Sequence, residues 1–455
     1  MDLFRKKDIT ESADTESHLA RCLTSFDLTF LGVGAIIGAG IFILTGVVAA
    51  TQAGPAIILS YVIAGFACAF AALSYAELAA AIGGCGSAYG YAYAGFGELL
   101  AWVVGWDLLL EYSISVSAVS VGWSGYAHDF LLAMKITLPP YLLSGPLTGG
   151  YLNVPAFFII SLLTGLLIWG VKSSTRANNI MVMIKLLVIG LFIAVASTEV
   201  HSENWSPFMP FGMSGVIDGA SLIFFAYIGF DAVSTAAEEA INPQRDLPKG
   251  IIGSLIICTI LYIIVAGLLT GIAHYSTLNV SSPISHSLLV LGHKTVAGLI
   301  GVGAIAGLTT VMLVLFYGLT RVFLAMSRDG LLPQLFSKTN STTKTPVRII
   351  LLCGILMASL AAVIPIDDLA ELVNIGTLFA FIIVCAGVLH LRHTRPDMPR
   401  PFKTPGMPYI PILGILSCFY LIMNLPMITM IRFIIWMVIG LVIYFMYSRK
   451  HSVLS

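Results

Sequence analysis

The sequence predicts an all-α integral membrane protein with twelve transmembrane helices, of which the first and the sixth are broken in mid-membrane. Three observations carry that expectation. The 455-residue chain is 58% hydrophobic and 10% charged, with mean hydropathy +0.95. Apolar runs of about 20 residues, the length that crosses a bilayer, recur along it. Glycines cluster inside two of those runs, where they serve something other than helix stability. So little polar surface excludes a soluble protein of this length. A formal net charge of zero gives nucleic acid no electrostatic footprint.

The twelve runs fall at 27–51, 55–82, 97–133, 153–172, 179–198, 215–240, 249–274, 296–327, 347–364, 369–391, 409–426 and 430–448. The third is long enough to tilt. Two intervening stretches, Gly83–Gly97 and Val280–Gly292, read as short surface or re-entrant helices, the first too rich in glycine and tyrosine for a span and the second too short. Residues 1–26 are polar and mixed in charge, without the apolar core of a signal peptide, and are expected to stay cytoplasmic, as is the tail 449–455. Basic residues set the orientation. With twelve spans drawn, Arg5, Lys6, Lys7, Arg21, Lys172, Arg176, Arg245, Lys249, Arg328, Lys338, Lys344, Arg348, Arg392, Arg395, Arg400, Lys403, Arg449 and Lys450 share one side, and Lys135, Lys294 and Arg432 fall on the other. Both termini are therefore expected on the cytoplasmic side.

In span 1 the run LGVGAIIGAGIFILT (Leu31–Thr45) carries Gly32, Gly34, Gly38 and Gly40. A broken helix at bilayer depth survives where its freed backbone groups are satisfied or line a cavity, and half-helix N-termini attract anions. Ile37, Gly38, Ala39, Gly40 and Ile41 are thus the candidate substrate segment. A helix-packing face is the alternative, and packing is the only role assigned to the similar GVGAIAG at Gly301–Gly307. In span 6, SLIFFAYIGFDAVSTAAEE places Gly229 in mid-membrane with Asp231 two residues later. A carboxylate at that depth must face protein or water. Spans 1 and 6 each open a block of five, as expected of an inverted repeat of 27–198 and 215–391 followed by spans 11 and 12 at 409–448.

Intramembrane ionisable residues are functional candidates by default. Asp107 and Glu111 share one face of span 3. Lys185 stands alone in IMVMIKLLVIGLFI of span 5, where burial disfavours the charged amine, although snorkelling toward the membrane edge is an alternative. Glu77, Glu98, Glu238, Glu239 and Arg321 are read as anchors of helix ends. The seven cysteines are scattered, without CxxC spacing, and are read as reduced packing residues. No cofactor and no metal site is expected.

GVGAIIGAGIFILTG, GPAIILSYVIAGFACAFAALSYAELAA, GWDLLLEY, FFAYIGFDAVSTAAEEAINPQRDLPKGI and YGLTRVFLAMSRDGLLP together resemble the cationic amino acid transporter family of the amino acid–polyamine–organocation (APC) superfamily, in its bacterial twelve-span form. The similarity runs from about residue 20 to 448. It implies the five-plus-five inverted-repeat, LeuT-like fold with alternating access. Carried over residue by residue, it puts the α-carboxylate of an amino acid on the N–H groups around Ala39 and Gly40. The α-ammonium would meet the carbonyls of Ile36, Phe225, Ala226 and Ile228. Glu111 matches the family's span 3 glutamate, Leu315 falls at the side-chain end of the pocket, and Lys185 matches the lysine of proton-coupled relatives, with Asp107 and Asp231 as secondary candidates. Ala39 departs from the serine or threonine common there, but only its backbone is needed.

The expected function is proton-coupled import of L-amino acids across the cytoplasmic membrane, with small or medium neutral side chains favoured because Met312, Leu315 and Phe316 make an apolar wall. The implied partners are the amino acid, a proton and the lipid bilayer, with a small single-span accessory subunit as a further candidate. An exchanger and a cationic permease are the alternatives within this class. An intramembrane serine enzyme would use Gly122-Trp123-Ser124-Gly125, a cheap match in a chain with 43 glycines. A channel would need selectivity runs that are missing.

Overall fold

A computed structural model describes residues 5, 23–82, 88–169, 175–340 and 345–453. Expectations for most of residues 1–26, for 83–87 and for the side chains of Arg176, Glu238 and Glu239 lie outside the described residues. Each apolar run coincides with a helical segment. Span 1 covers 25–53, span 2 Ile57–Ile82, span 3 Glu98–Ala133, span 4 Val154–Ile168 and span 5 Thr175–Ala196. Span 6 covers 212–239, span 7 Pro243–Ile272, span 8 Lys294–Arg328, span 9 Val347–Val363, span 10 Ile366–Thr394, span 11 Tyr409–Met423 and span 12 residues 427–448. The two intervening stretches contain short helices, Ala88–Gly95 and Pro283–Val290. Span 4 is shorter than its apolar run, beginning at the Asn153 cap and ending at Ile168.

Span 1 starts with a capping box: Thr24 accepts from the Asp27 N–H, and the Asp27 carboxylate accepts from the Thr24 N–H. Its first half, Ser25–Ile36, ends where Ile37 turns extended, and a wide π-type turn restarts the helix at Gly40–Leu44. Span 6 stops its α-helix at Ile223, tightens into a 3₁₀ turn, turns extended at Ile228, and passes through Gly229 at φ +117° before a second 3₁₀ run. Both runs flagged by glycine are therefore interrupted helices. Span 1 packs on span 6, span 2 on span 7, span 3 on span 8 and span 4 on span 9. Each of the first four spans lies against the span five positions later.

Glycine decides how closely the two breaks meet. A Cβ on Gly40 would collide with Cα and Cβ of Ala226, and one on Gly229 would lie 2.9 Å from the carbonyl carbon of Ala35. The GVGAIAG segment of span 8 is a packing face, with Gly303 against Val188 and Gly307 against the Lys185 stem.

Two buried carboxylates on the side of the N-terminus anchor helix ends. Glu77 receives Nε and Nη2 of Arg392 at 2.8 Å each and the Thr404 N–H at 2.7 Å, with Arg400 Nε at 3.4 Å. Glu98 accepts from Tyr444 Oη at 3.0 Å and Ser452 Oγ at 2.6 Å, which fastens the chain's end to span 3.

Gly229→Ala is expected to destabilise by about 2 kcal/mol, from a left-handed backbone and a clash. Gly165→Ala, on span 4 with nothing within 4 Å of the added Cβ, is expected to leave the Tm level or raise it. Melting curves of the two detergent-solubilised variants check this contrast.

Candidate substrate and coupling site

Breaking a helix frees carbonyls and N–H groups that the bilayer cannot hydrogen-bond. The side chains that meet them come mostly from other spans. Lys185 Nζ donates to the carbonyls of Gly34 at 2.7 Å and Ile37 at 3.2 Å. Its side chain is fully buried, so it does not snorkel. Its place is at the break of span 1. Tyr262 Oη on span 7 lies 2.9 Å from the Ile36 carbonyl and 2.7 Å from that of Ala226. A hydroxyl has one proton to donate, so it serves one of these carbonyls at a time.

Past the break, Thr45 Oγ1 donates to the Gly40 carbonyl at 3.0 Å and lies 2.6 Å from Tyr61 Oη on span 2. Tyr126 Oη on span 3 donates to the Phe42 carbonyl at 2.8 Å. On span 6, Asn374 Nδ2 of span 10 donates to the Ser221 and Leu222 carbonyls at 2.8 and 3.0 Å. Five spans thus supply donors to the two interrupted ones.

Ile36, Ile37, Ala39, Ile41, Phe225, Ala226, Ile228 and Leu315 are all buried. The Ala226 backbone lies against Gly40, and Val311 lies against Gly38. Of the four carbonyls expected to face an ammonium, those of Ile36 and Ala226 bond Tyr262, and that of Phe225 accepts the Ile228 N–H at 3.3 Å. Tyr262 therefore shares the ammonium's expected acceptors. Its one sequence signal is a tyrosine inside the apolar run ICTILYIIVAG. Met312 and Phe316 are fully buried beside Leu315.

Asp107, Glu111 and Asp231 are buried as well. Tyr112 Oη donates to Asp231 Oδ2 at 3.2 Å, and the Thr377 hydroxyl bonds Glu111. Asp107 and Glu111 do not touch Lys185's partners. They face spans 6 and 10, whereas Lys185 faces spans 1 and 8. The serine of Gly122-Trp123-Ser124-Gly125 donates to Asn153 Oδ1 at 2.6 Å, at the cap of span 4, a structural use. Among the described residues no group of His, Cys, Asp and Glu is arranged to hold a metal.

Two interrupted helices meeting in mid-membrane, with polar groups turned inward and an apolar exterior, define a multi-pass membrane transporter and not an enzyme. A family model described as amino acid permease matches residues 23–448, and the chain belongs to that family, within the APC superfamily. It is 53% identical to the branched-chain amino acid permease BcaP of Bacillus subtilis (strain 168), over all of this chain and 99% of the relative. It is 50% identical to the methylthioribose transporter of the same strain, over all of this chain and 99% of the relative. The vacuolar cationic amino acid transporter 4 of Arabidopsis thaliana is 39% identical over 87% of this chain and 68% of its own length.

Tyr262→Phe keeps the ring and removes the hydroxyl between the breaks. A buried acceptor left unpaired costs about 1–3 kcal/mol, so both the Tm and the uptake rate are expected to fall, uptake by about tenfold or more. Initial uptake rates in proteoliposomes, set beside melting curves, check it.

Proposed function

We propose that this amino acid permease imports medium-sized neutral L-amino acids by proton symport across the cytoplasmic membrane, with both termini cytoplasmic and the inverted-repeat units at 27–198 and 215–391. The observation that carries the coupling is the pair of bonds from Lys185 Nζ to the Gly34 and Ile37 carbonyls. Charged, the amine holds the first half of span 1 to span 5. Neutral, it loses most of that attraction, and the carbonyls gain nothing in exchange. The state that binds substrate with span 1 held in this way is then the state that binds the proton better, and by linkage each favours the other.

Recognition runs through the α-carboxylate and α-ammonium. The N–H groups that open the second half of span 1, at Ala39 and Gly40, lack intrahelical partners and sit at the positive end of a helix. The carbonyls of Ile36, Phe225, Ala226 and Ile228 suit a cation. Met312, Leu315 and Phe316 leave a cationic side chain unpaired, which favours the branched-chain substrates named for the 53% identical relative over arginine. The 50% identical relative, named for methylthioribose, supports a second reading: a neutral thioether sugar that has neither α-group.

Radiolabelled leucine, arginine and methylthioribose offered to proteoliposomes, with and without an inward proton gradient, separate these readings. Leucine is expected to accumulate with the gradient, and leucine methyl ester is expected to compete at least about tenfold less well than the free acid. Competition by the ester equal to that of leucine, or uptake of methylthioribose in its place, rejects recognition through the carboxylate. Lys185→Ala is expected to abolish gradient-driven accumulation while equilibrium binding weakens less than about tenfold. Accumulation that survives in this variant moves the coupling site elsewhere.

A further inference from the structure

One charged-residue position is left over by this scheme. Asp107 is fully buried in span 3, and neither carboxyl oxygen has a hydrogen-bond partner. Gly376 of span 10 lies directly against it, and a Cβ added there would be 2.7 Å from Oδ1. The neighbouring helix makes room for the carboxyl and offers it no donor. Glu111 sits one helical turn further along the same face, with Oε1 also unpartnered. Asp231 of span 6 acts on Glu111 in turn and leaves Oδ1 unpartnered. The other titratable groups around Glu111 and Asp231 are Tyr75 of span 2, Tyr91 of the Ala88–Gly95 helix and Tyr112 of span 3. None of the groups acting on Asp107 or Glu111 is basic.

An ionised carboxylate enclosed without a donor or a cation costs far more than a neutral carboxyl in the same place, and two carboxylates one turn apart oppose each other's ionisation. A metal cation needs several oxygen ligands converging on one point, and among the described residues no group of His, Cys, Asp and Glu is arranged in that way. A proton is the one cation that fits. Asp107 lies nine residues from the start of span 3 at Glu98, about 13 Å by helical rise, so it stands between Glu111 and the side that bears the N-terminus.

We propose that Asp107 is a proton-binding site that passes a proton from the Glu111–Asp231 pair to the cytoplasm, a second protonation site separate from the one at Lys185. In the closed form Asp107 holds its proton on one carboxyl oxygen. When the cytoplasmic side opens and water arrives, the O–H bond breaks and the proton leaves on water as hydronium; the Asp107 carboxylate then takes the proton of Glu111, and the ionised Glu111 is reprotonated by hydronium from the opposite side when that side opens. This role rests on the proton-symport reading above, whereas the protonated state of Asp107 rests on burial and geometry alone.

Asp107→Asn matches the shape of the protonated acid and cannot release a proton. In proteoliposomes its net proton-driven uptake is expected to fall about tenfold or more and to lose its dependence on internal pH. Substrate counterflow, which moves no net proton, is expected to stay within about two-fold of wild type. Infrared difference spectra of the solubilised wild-type and variant proteins are expected to show a protonated-carboxyl band in the wild type that shifts in D₂O and is missing from the variant. Wild-type net uptake in Asp107→Asn, or the absence of that band, overturns the proposal. A wild-type protein without any gradient-driven uptake, but with the band, overturns the symport reading and with it the relay, while leaving Asp107 as the holder of a buried proton.

Discussion

A backbone carbonyl without a hydrogen bond inside a bilayer costs several kcal/mol, and this protein frees such groups in two of its helices. Five of the remaining spans turn side chains toward the interrupted helices. Lys185 from span 5, Tyr262 from span 7, Tyr126 from span 3, Asn374 from span 10 and the Tyr61–Thr45 pair all point at the interrupted helices. The breaks are therefore stable only as part of the complete bundle. Any movement of span 1 relative to span 5 has to exchange the Lys185 bonds for others.

Glycine serves the same arrangement in a different way. Gly40 and Gly229 lower helix stability, yet each brings the backbone of one broken helix against that of the other. At that separation the half-helix ends and the freed carbonyls share one small volume. An amino acid, with opposite charges a few bonds apart, matches such a pair of dipole ends.

The buried carboxylates divide by how well they are satisfied. Glu77 accepts two arginine contacts and a backbone N–H, and Glu98 accepts two hydroxyls at 3.0 Å or closer. Both sit at helix ends and lock them. Asp107, Glu111 and Asp231 lie deeper and keep unpartnered oxygens. That contrast separates the two helix-end anchors from the three deeper acids, although all five are buried.

The span count, the positions of both breaks and the intramembrane ions were legible in the sequence, because apolar run length, glycine clusters and lone charges in apolar runs are local signals. The amino acid permease family was legible too, through the motifs of spans 1 and 6. What satisfies each break was decided by the tertiary structure alone. Lys185 had two open readings until the fold placed span 5 beside Gly34 and Ile37, and Tyr262 gave no signal beyond a tyrosine inside an apolar run. Glu77 was legible as a helix-end anchor and Asp107 as an intramembrane acid, but the partners of neither were. Glu77 found Arg392 and Arg400, which lie more than three hundred residues later in the chain, and Asp107 found only Gly376. Hydrogen-bond partners at membrane depth come from helices remote in sequence, and which helices become neighbours is fixed by packing the whole bundle, a property that no local window contains.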